Sequence, residues 1–219
     1  MPGAWEIVNQ KSVMVGILYT DTTTVAWSFG LRNLIVPGNF PICAVAGMPY
    51  DMARNTVCVE TIRSGADFLF FLDSDVIPPR DAILRLMTHD KPVVSGIYCR
   101  RSPPVGVPVM MKNGQWINSF PPNTLIDVDV VGAGCLLIRR DLLLTLPPQR
   151  PGSHWFDWRV NQMGFLPKEE CMSEDYTFCL AVRRMGIPIL VDTSIQCKHI
   201  GLAQSLHGRY EACETSPIT

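Results

Sequence analysis

The stretch Phe68 to Pro79, FLFFLDSDVIPP, constrains this chain more than any other. An unbroken apolar run ends directly in Asp73-Ser74-Asp75. Such a run predicts a strand buried on both faces, as at the centre of a parallel sheet. Its tip then carries two carboxylates. In extended backbone, residues i and i+2 share a face, so Asp73 and Asp75 are expected to reach one ligand together. Like charges that close raise each other's proton affinity, and a divalent cation removes the conflict. The pattern points to a metal ion and the phosphates such an ion holds.

The rest of the chain reads as strands alternating with helices. Ser12–Thr20 and Pro41–Ala46 predict strands, and Asp21-Thr-Thr-Thr can cap a helix through Trp27 and Leu31. A helix is expected over Met52–Ser64, stopped by Gly65. Asp81–Met87 predicts a further helix and Val93–Tyr98 a strand. Asn113-Gly114 marks a hairpin between Val109–Lys112 and Trp116–Ile117. Leu125–Val131 alternates like a single strand, and Cys135–Ile138 is another. Helices are expected over Asp141–Leu146 and Asp175–Met185, with a last strand over Ile187–Val191. Alternating strands and helices in the first half and hairpin-like strands in the second predict an α/β fold. Its central sheet is mixed, mostly parallel and flanked by helices. The expected organisation is one domain, with a nucleotide-binding half near 12–112, an acceptor half near 113–201 and a tail over 208–219. In open α/β sheets ligands bind at the carboxyl ends of the strands. Thr20 and Asp21, Asp73 and Asp75, and Ser95 to Tyr98 are all expected there.

Composition narrows the class. The 219 residues are 47% hydrophobic and 18% charged, with a formal net charge of -1, which argues against a nucleic-acid footprint. Arg100-Arg101 and Arg183-Arg184 read most simply as solvated pairs. The 8 cysteines form no C-x-x-C pair and several sit in apolar segments. Buried free thiols and a cytoplasmic setting are therefore expected, rather than a zinc site. No leader pattern and no long apolar run predicts membrane insertion.

Four elements in order, Ala53-Arg54-Asn55, FLFFLDSDVIPP, VVGAGCLLIRRDLL (Val130–Leu144) and CMSEDYTFCLAVRRMG (Cys171–Gly186), followed by His199 in CKHIG, resemble nucleotide-sugar-dependent glycosyltransferases of the GT-A fold, of a metal-dependent, D-x-D, family-2-like kind. The resemblance spans about Ser12 to Gly201. It implies sugar transfer from a nucleotide-diphosphate sugar, such as a UDP- or GDP-sugar, to a hydroxyl of a glycan or other acceptor. It also implies a Mn²⁺ or Mg²⁺ cofactor held by Asp73, Asp75 and His199. An imidazole ligand tilts that choice towards Mn²⁺. Asp73 can instead contact the ribose, with Ser74 beside it. Tyr19, Thr20 and Asp21 would frame the nucleotide, Asp21 being equally suited to cap a helix. Arg54 would touch the diphosphate or base, or else form a salt bridge on its helix.

In the acidic motif, Asp175 would accept the acceptor's hydroxyl proton in an inverting single displacement, with Glu174 binding acceptor. Ser173 or Asp175 can equally serve only as a helix cap. Gly132, Ala133 and Gly134 would let backbone approach the sugar, or else form a bulge. Trp155, Phe156 and Trp158 would stack on sugar, or else fill the core. A chain this short, with no separate acceptor module, leaves room for a homo-oligomer.

Two other enzyme classes share parts of the pattern. FLFFLDSDV also fits a haloacid-dehalogenase phosphatase, with Asp73 as nucleophile, Asp75 as acid/base and Ser95 in a second motif. That signature normally opens the domain, and here two strands precede it. A nucleotidyltransferase would carry a Gly-rich loop after the first strand, where this chain has YTDTTT. A non-catalytic sugar-binding module would be favoured had the acids been replaced.

Overall fold

The computed structural model describes residues 11–38, 40–101, 105–148, 154–159 and 172–201. The tail expected over 208–219 lies outside them, as do Cys171 and Cys213. A seven-stranded mixed sheet forms the centre, in the order β2-β1-β3-β10-β5-β11-β8. Its strands are β1 (Val13–Tyr19), β2 (Ile42–Ala46), β3 (Phe68–Asp73), β5 (Val93–Ile97), β8 (Leu125–Val128), β10 (Cys135–Arg139) and β11 (Ile189–Gln196). β1 runs parallel to β2 and β3, and β11 runs parallel to β5. β10 is antiparallel to both β3 and β5, and β8 is antiparallel to β11. The carboxyl ends of β1, β2, β3, β5 and β11 therefore share one edge, and the site is built along it.

Strand β3 shows why the sheet takes three layers. Phe68, Leu69, Phe70, Phe71 and Leu72 are all essentially buried. Alternate residues enter opposite cores, Leu69 and Phe71 on one face and Phe68, Phe70 and Leu72 on the other. The Leu69 face is covered by α2 (Tyr50–Ser64), α4 (Arg140–Thr145) and α5 (Glu174–Arg184), through residues such as Val57, Leu142 and Phe178. The Phe70 face is covered by α1 (Val25–Asn33) and α3 (Ala82–Thr88), through Trp27, Ile83 and Leu86. A helix follows each early parallel strand because the right-handed crossover returns the chain across a face.

Two short pieces complete the fold. β4 (Val76–Ile77) pairs antiparallel with β12 (Lys198–His199), setting His199 opposite Val76. β6 (Met110–Lys112) pairs with β7 (Gln115–Trp116) through Asn113 and Gly114, whose φ values are 51° and 73°. That is the twist a two-residue hairpin loop demands. The expected single strand over Leu125–Val131 is two strands. β8 joins the main sheet, whereas β9 (Val130–Val131) pairs with β6 in a separate three-stranded sheet. The strand expected over Ile187–Val191 is β11, which runs Ile189–Gln196, and within the expected capping run Asp21-Thr-Thr-Thr it is Thr24 that caps α1, accepting from the Trp27 N–H at 3.1 Å.

Cys43, Cys58, Cys135, Cys179 and Cys197 are free thiols, but Cys99 is disulfide-bonded, against the expectation of free thiols throughout. Among the described residues no helix is long and apolar enough to cross a membrane.

Candidate functional site

The Ala53-Arg54-Asn55 run sits in the second turn of α2, and each residue faces a different neighbour. Ala53 is buried and lines a cavity at the ends of β1 and β2. Asn55 clamps the segment 154–159: its amide donates to the Phe156 carbonyl at 2.8 Å and its carbonyl accepts from the Phe156 N–H at 3.0 Å. Between them Arg54 is 3% exposed and reaches two acids from opposite halves of the chain. Its Nε donates to Glu174 Oε1 at 3.1 Å, and its Nη2 donates to Asp73 Oδ2 at 3.2 Å. Nη1 and Asp73 Oδ1 lie 3.1 Å apart, and neither atom makes a hydrogen bond among the described residues. Phe71 and Phe156 flank the guanidinium, with centroids 5.1 and 5.9 Å from its central carbon. Burial works against the Arg54 charge, but Asp73 and Glu174 outweigh it and hold the group protonated well above its ordinary range. Burial pushes the Glu174 carboxyl up, opposed by Arg54 and reinforced by Asp175. The expected contact of Arg54 with a diphosphate or base is not available to a guanidinium so enclosed. Its ion pairs are buried, not on the helix surface.

Asp73 keeps the register of Leu69 and Phe71, so its side chain leaves β3 on the α2 face, where Arg54 stands. The Asp73 backbone is fixed as well: its carbonyl accepts from Trp27 Nε1 at 2.9 Å and its N–H donates to Gly134 O at 3.2 Å. Asp75 does not share that face, against expectation. The strand ends at Asp73, and the chain turns at half-buried Ser74 before β4 resumes. The i, i+2 rule holds only while the backbone stays extended.

The turn delivers Asp75 to a different set of partners. His199 Nε2 lies 3.5 Å from Asp75 Oδ1, and Arg101 Nη2 lies 2.8 Å from Asp75 Oδ2. Ile200 N–H donates to the Asp75 carbonyl at 2.7 Å, locking the β12 strand against the turn. His199 Nδ1 is 2.6 Å from the Cys99 carbonyl, which can only accept, so Nδ1 carries a proton. Nε2 is thereby turned to Asp75 as the nitrogen available to an ion, the second-sphere arrangement of metal-binding histidines. Burial raises the Asp75 carboxyl, but protonated His199 and then Arg101 bring it below the ordinary range, and an ion would take Nε2 only from the unprotonated ring.

Among the described residues no group of three or more His, Cys, Asp or Glu side chains is gathered to hold a metal. The expected triad of Asp73, Asp75 and His199 is divided, with Asp73 on Arg54 and the other two together. A carboxylate and an oriented imidazole would still suit a divalent ion, Mn²⁺ more than Mg²⁺, whose remaining positions would be filled by water and substrate phosphates.

Asp175 opens α5 beside Glu174. Its Oδ1 accepts from the Ser173 hydroxyl and from the Tyr176 N–H at 2.8 Å, while Oδ2 makes no hydrogen bond among the described residues. Ser173 occupies the cap position without a side-chain capping bond.

Gly132, Ala133 and Gly134 are buried beneath Tyr98. A Cβ on Gly132 would meet the Tyr98 hydroxyl at 2.0 Å, and one on Gly134 would meet Val76 Cγ2 at 2.9 Å. Gly134 N–H donates to that hydroxyl at 3.0 Å. Here the missing side chains admit a tyrosine ring, not a sugar. Burial, then Asp73 and Asp175, keep the Tyr98 phenol protonated, and its ring meets His199 edge-on at 5.2 Å.

The three aromatics before the acidic motif also separate. Phe156 is core, and the Trp155 indole donates to the Leu143 carbonyl at 2.8 Å, as packing residues do. Trp158 is 37% exposed and stacks on Tyr50 at 5.6 Å. With Tyr19, Thr20, Met48 and Pro49 they line a cavity of about 220 Å³. Trp158 thus stands at the β1 and β2 end rather than on the acceptor side. Asp21 is exposed and accepts from Thr20 Oγ1 at 3.3 Å. Sequence reasoning missed Tyr50, read Arg101 only as one of a solvated pair, and put Tyr98 at the strand-end edge without a role. A basic pair immediately beyond a strand's carboxyl end was the available signal for Arg101.

No family model matches the chain, and no curated protein matches it. Among solved structures it is similar to A197 from STIV, with 15% identity, a TM-score of 0.57 and coverage of 87% of this chain and 86% of that one. At that identity the likeness concerns the fold. It agrees with an α/β domain whose large mixed sheet is compatible with a GT-A-like arrangement.

Proposed function

We propose that the protein is a metal-dependent glycosyltransferase that moves a sugar from a nucleotide-diphosphate sugar to an acceptor hydroxyl. One observation carries the reading: Arg54 draws Asp73 of the strand-end acidic motif and Glu174 of the helix-opening acidic motif into one buried cluster. A donor-side and an acceptor-side carboxylate are thereby held together at the sheet edge where ligands of open α/β folds bind. A divalent ion on Asp75 and His199 supplies charge for the leaving diphosphate. The part of the Asp73 side chain that stays exposed, 23% of it, suits a donor ribose hydroxyl, Oδ1 being buried against Arg54. The cavity beneath Tyr50 and Trp158 suits a flat nucleobase, with Thr20 at its rim. Asp175 Oδ2 is the oxygen suited to take the acceptor proton, and inversion by single displacement follows from that role.

The phosphatase alternative needs Asp73 as a free nucleophile. Arg54 occupies that carboxylate, and Ser95 is buried in mid-strand, donating to Cys135 O at 2.9 Å.

The test is a thermal-shift screen of UDP, GDP and their sugars with and without Mn²⁺. Binding to the native state raises apparent stability. The expected result is a Mn²⁺-dependent rise with one nucleotide class, abolished in Asp75→Ala. A rise that survives Asp75→Ala, or none with any nucleotide, would count against the reading.

A further inference from the structure

We propose that Arg101 is a resident cation that holds Asp75 until a divalent ion takes that carboxylate, and that its released guanidinium then binds the diphosphate the ion brings. The inference rests on the reading of Asp75 and His199 as ion ligands.

Arg101 follows β5 at the same sheet edge and is tied to the site at two points. Nη2 pairs with Asp75 Oδ2 at 2.8 Å, and Nη1 donates to the Ile200 carbonyl at 3.1 Å. Its stem runs past Gly201, where a Cβ would stand 3.4 Å from Arg101 Cδ. Arg100, its neighbour, lies over the Trp116 ring with 4.3 Å to the centroid. The adjacent arginines are thus committed to different places. The two Asp75 oxygens are also divided, Oδ1 facing His199 Nε2 and Oδ2 facing Arg101.

An ion bound to Asp75 and His199 would sit within a few ångströms of the guanidinium. Two cations on one small carboxylate repel, so ion binding weakens the hold on Arg101. The side chain is half exposed, so its release meets little packing resistance. A guanidinium fork matches two phosphate oxygens, and a diphosphate on the ion is the nearest strong acceptor. The consequence is cooperativity. The ion alone binds weakly because it displaces Arg101, whereas ion and diphosphate together bind tightly because Arg101 finds a new partner. By linkage each ligand strengthens the other by the same factor.

The experiment titrates two probes, Mn²⁺ alone and the preformed manganese–inorganic pyrophosphate complex, into wild type, Arg101→Gln and Asp75→Asn. Arg101→Gln is expected to bind Mn²⁺ alone about fivefold tighter, the upper range for an exposed ion pair. It should bind the pyrophosphate complex about tenfold more weakly, the loss of one charge-assisted contact. Asp75→Asn should lose Mn²⁺. If Asp75→Asn loses Mn²⁺ but Arg101→Gln matches wild type with either probe, this inference alone is overturned. If Asp75→Asn binds Mn²⁺ as wild type does, or no variant binds it, the metal reading beneath it fails as well.

Discussion

The two acidic motifs, Asp73-Ser74-Asp75 and Glu174-Asp175, come from opposite halves of the chain, yet they divide in the same way. One acid of each, Asp73 and Glu174, turns inward onto buried Arg54. The other, Asp75 or Asp175, stays part-exposed and keeps its carboxylate near solvent. Carboxylates within two residues of each other therefore take different partners. Arg54 and Glu174 are nearly dry, whereas Asp73 is 23% exposed and Asp75 29%, so those two acids differ in partner more than in burial. The outer acids sit among groups that can move or exchange. The lesson is that a paired-acid motif can be one structural group and one working group, rather than two equal ligands.

This contrast can be broken in three ways. The largest effect is expected at the outer acid of the second motif. Asp175→Asn should slow sugar transfer by roughly 10²–10⁴-fold, the usual share of a general base, while leaving donor binding intact. Near-normal turnover in that variant would place Asp175 with the caps. At the inner cluster, Arg54→Met should destabilise the fold by about 3 kcal/mol, the low end for breaking a buried pair, because Glu174 would be left as an uncompensated buried charge while Asp73, 23% exposed, can turn to water. Urea unfolding measures this, and a loss below about 1 kcal/mol would show the cluster to be less dry than its exposure indicates.

The smallest of the three is the effect of Asp75 on metal-free stability. Its carboxyl is held below the ordinary range, so its ion pairs contribute stability above the unfolded value of about 4. That contribution is lost as pH falls through the lower folded value. Metal-free Asp75→Asn should be less stable than wild type by up to about 1 kcal/mol at pH 7, with the gap closing towards pH 3. A gap that persists at pH 3 would mean that the side chain acts through packing rather than charge.

Much of the architecture could be read from the residues. The apolar run at 68–72 defined a central strand because burial on both faces leaves no room for polar alternation. Asn113-Gly114 located a hairpin because few residues adopt positive φ in succession. Leu125–Val131 misled for an equally physical reason. An alternating pattern states which side chains face a core but not which sheet they join. Lys112 Nζ, 3.1 Å from Asp129, helps hold the junction where the chain passes from one sheet to the other.

The site was legible as a set of residues but not as a set of partnerships. Local sequence put carboxylates at the end of β3 and at the start of α5, a histidine after β11 and a basic residue in α2. Spacing along the chain also determined the alternating faces of β3, and with them the side on which Asp73 emerges. Folding alone decided that Arg54 would close onto Asp73 and Glu174, that the turn at Ser74 would carry Asp75 away to His199 and Arg101, and that Tyr98 would fill the space the two glycines leave. Periodicity reports direction over a few residues of regular backbone, whereas the charge state and freedom of an ionisable group depend on neighbours brought from distant parts of the chain.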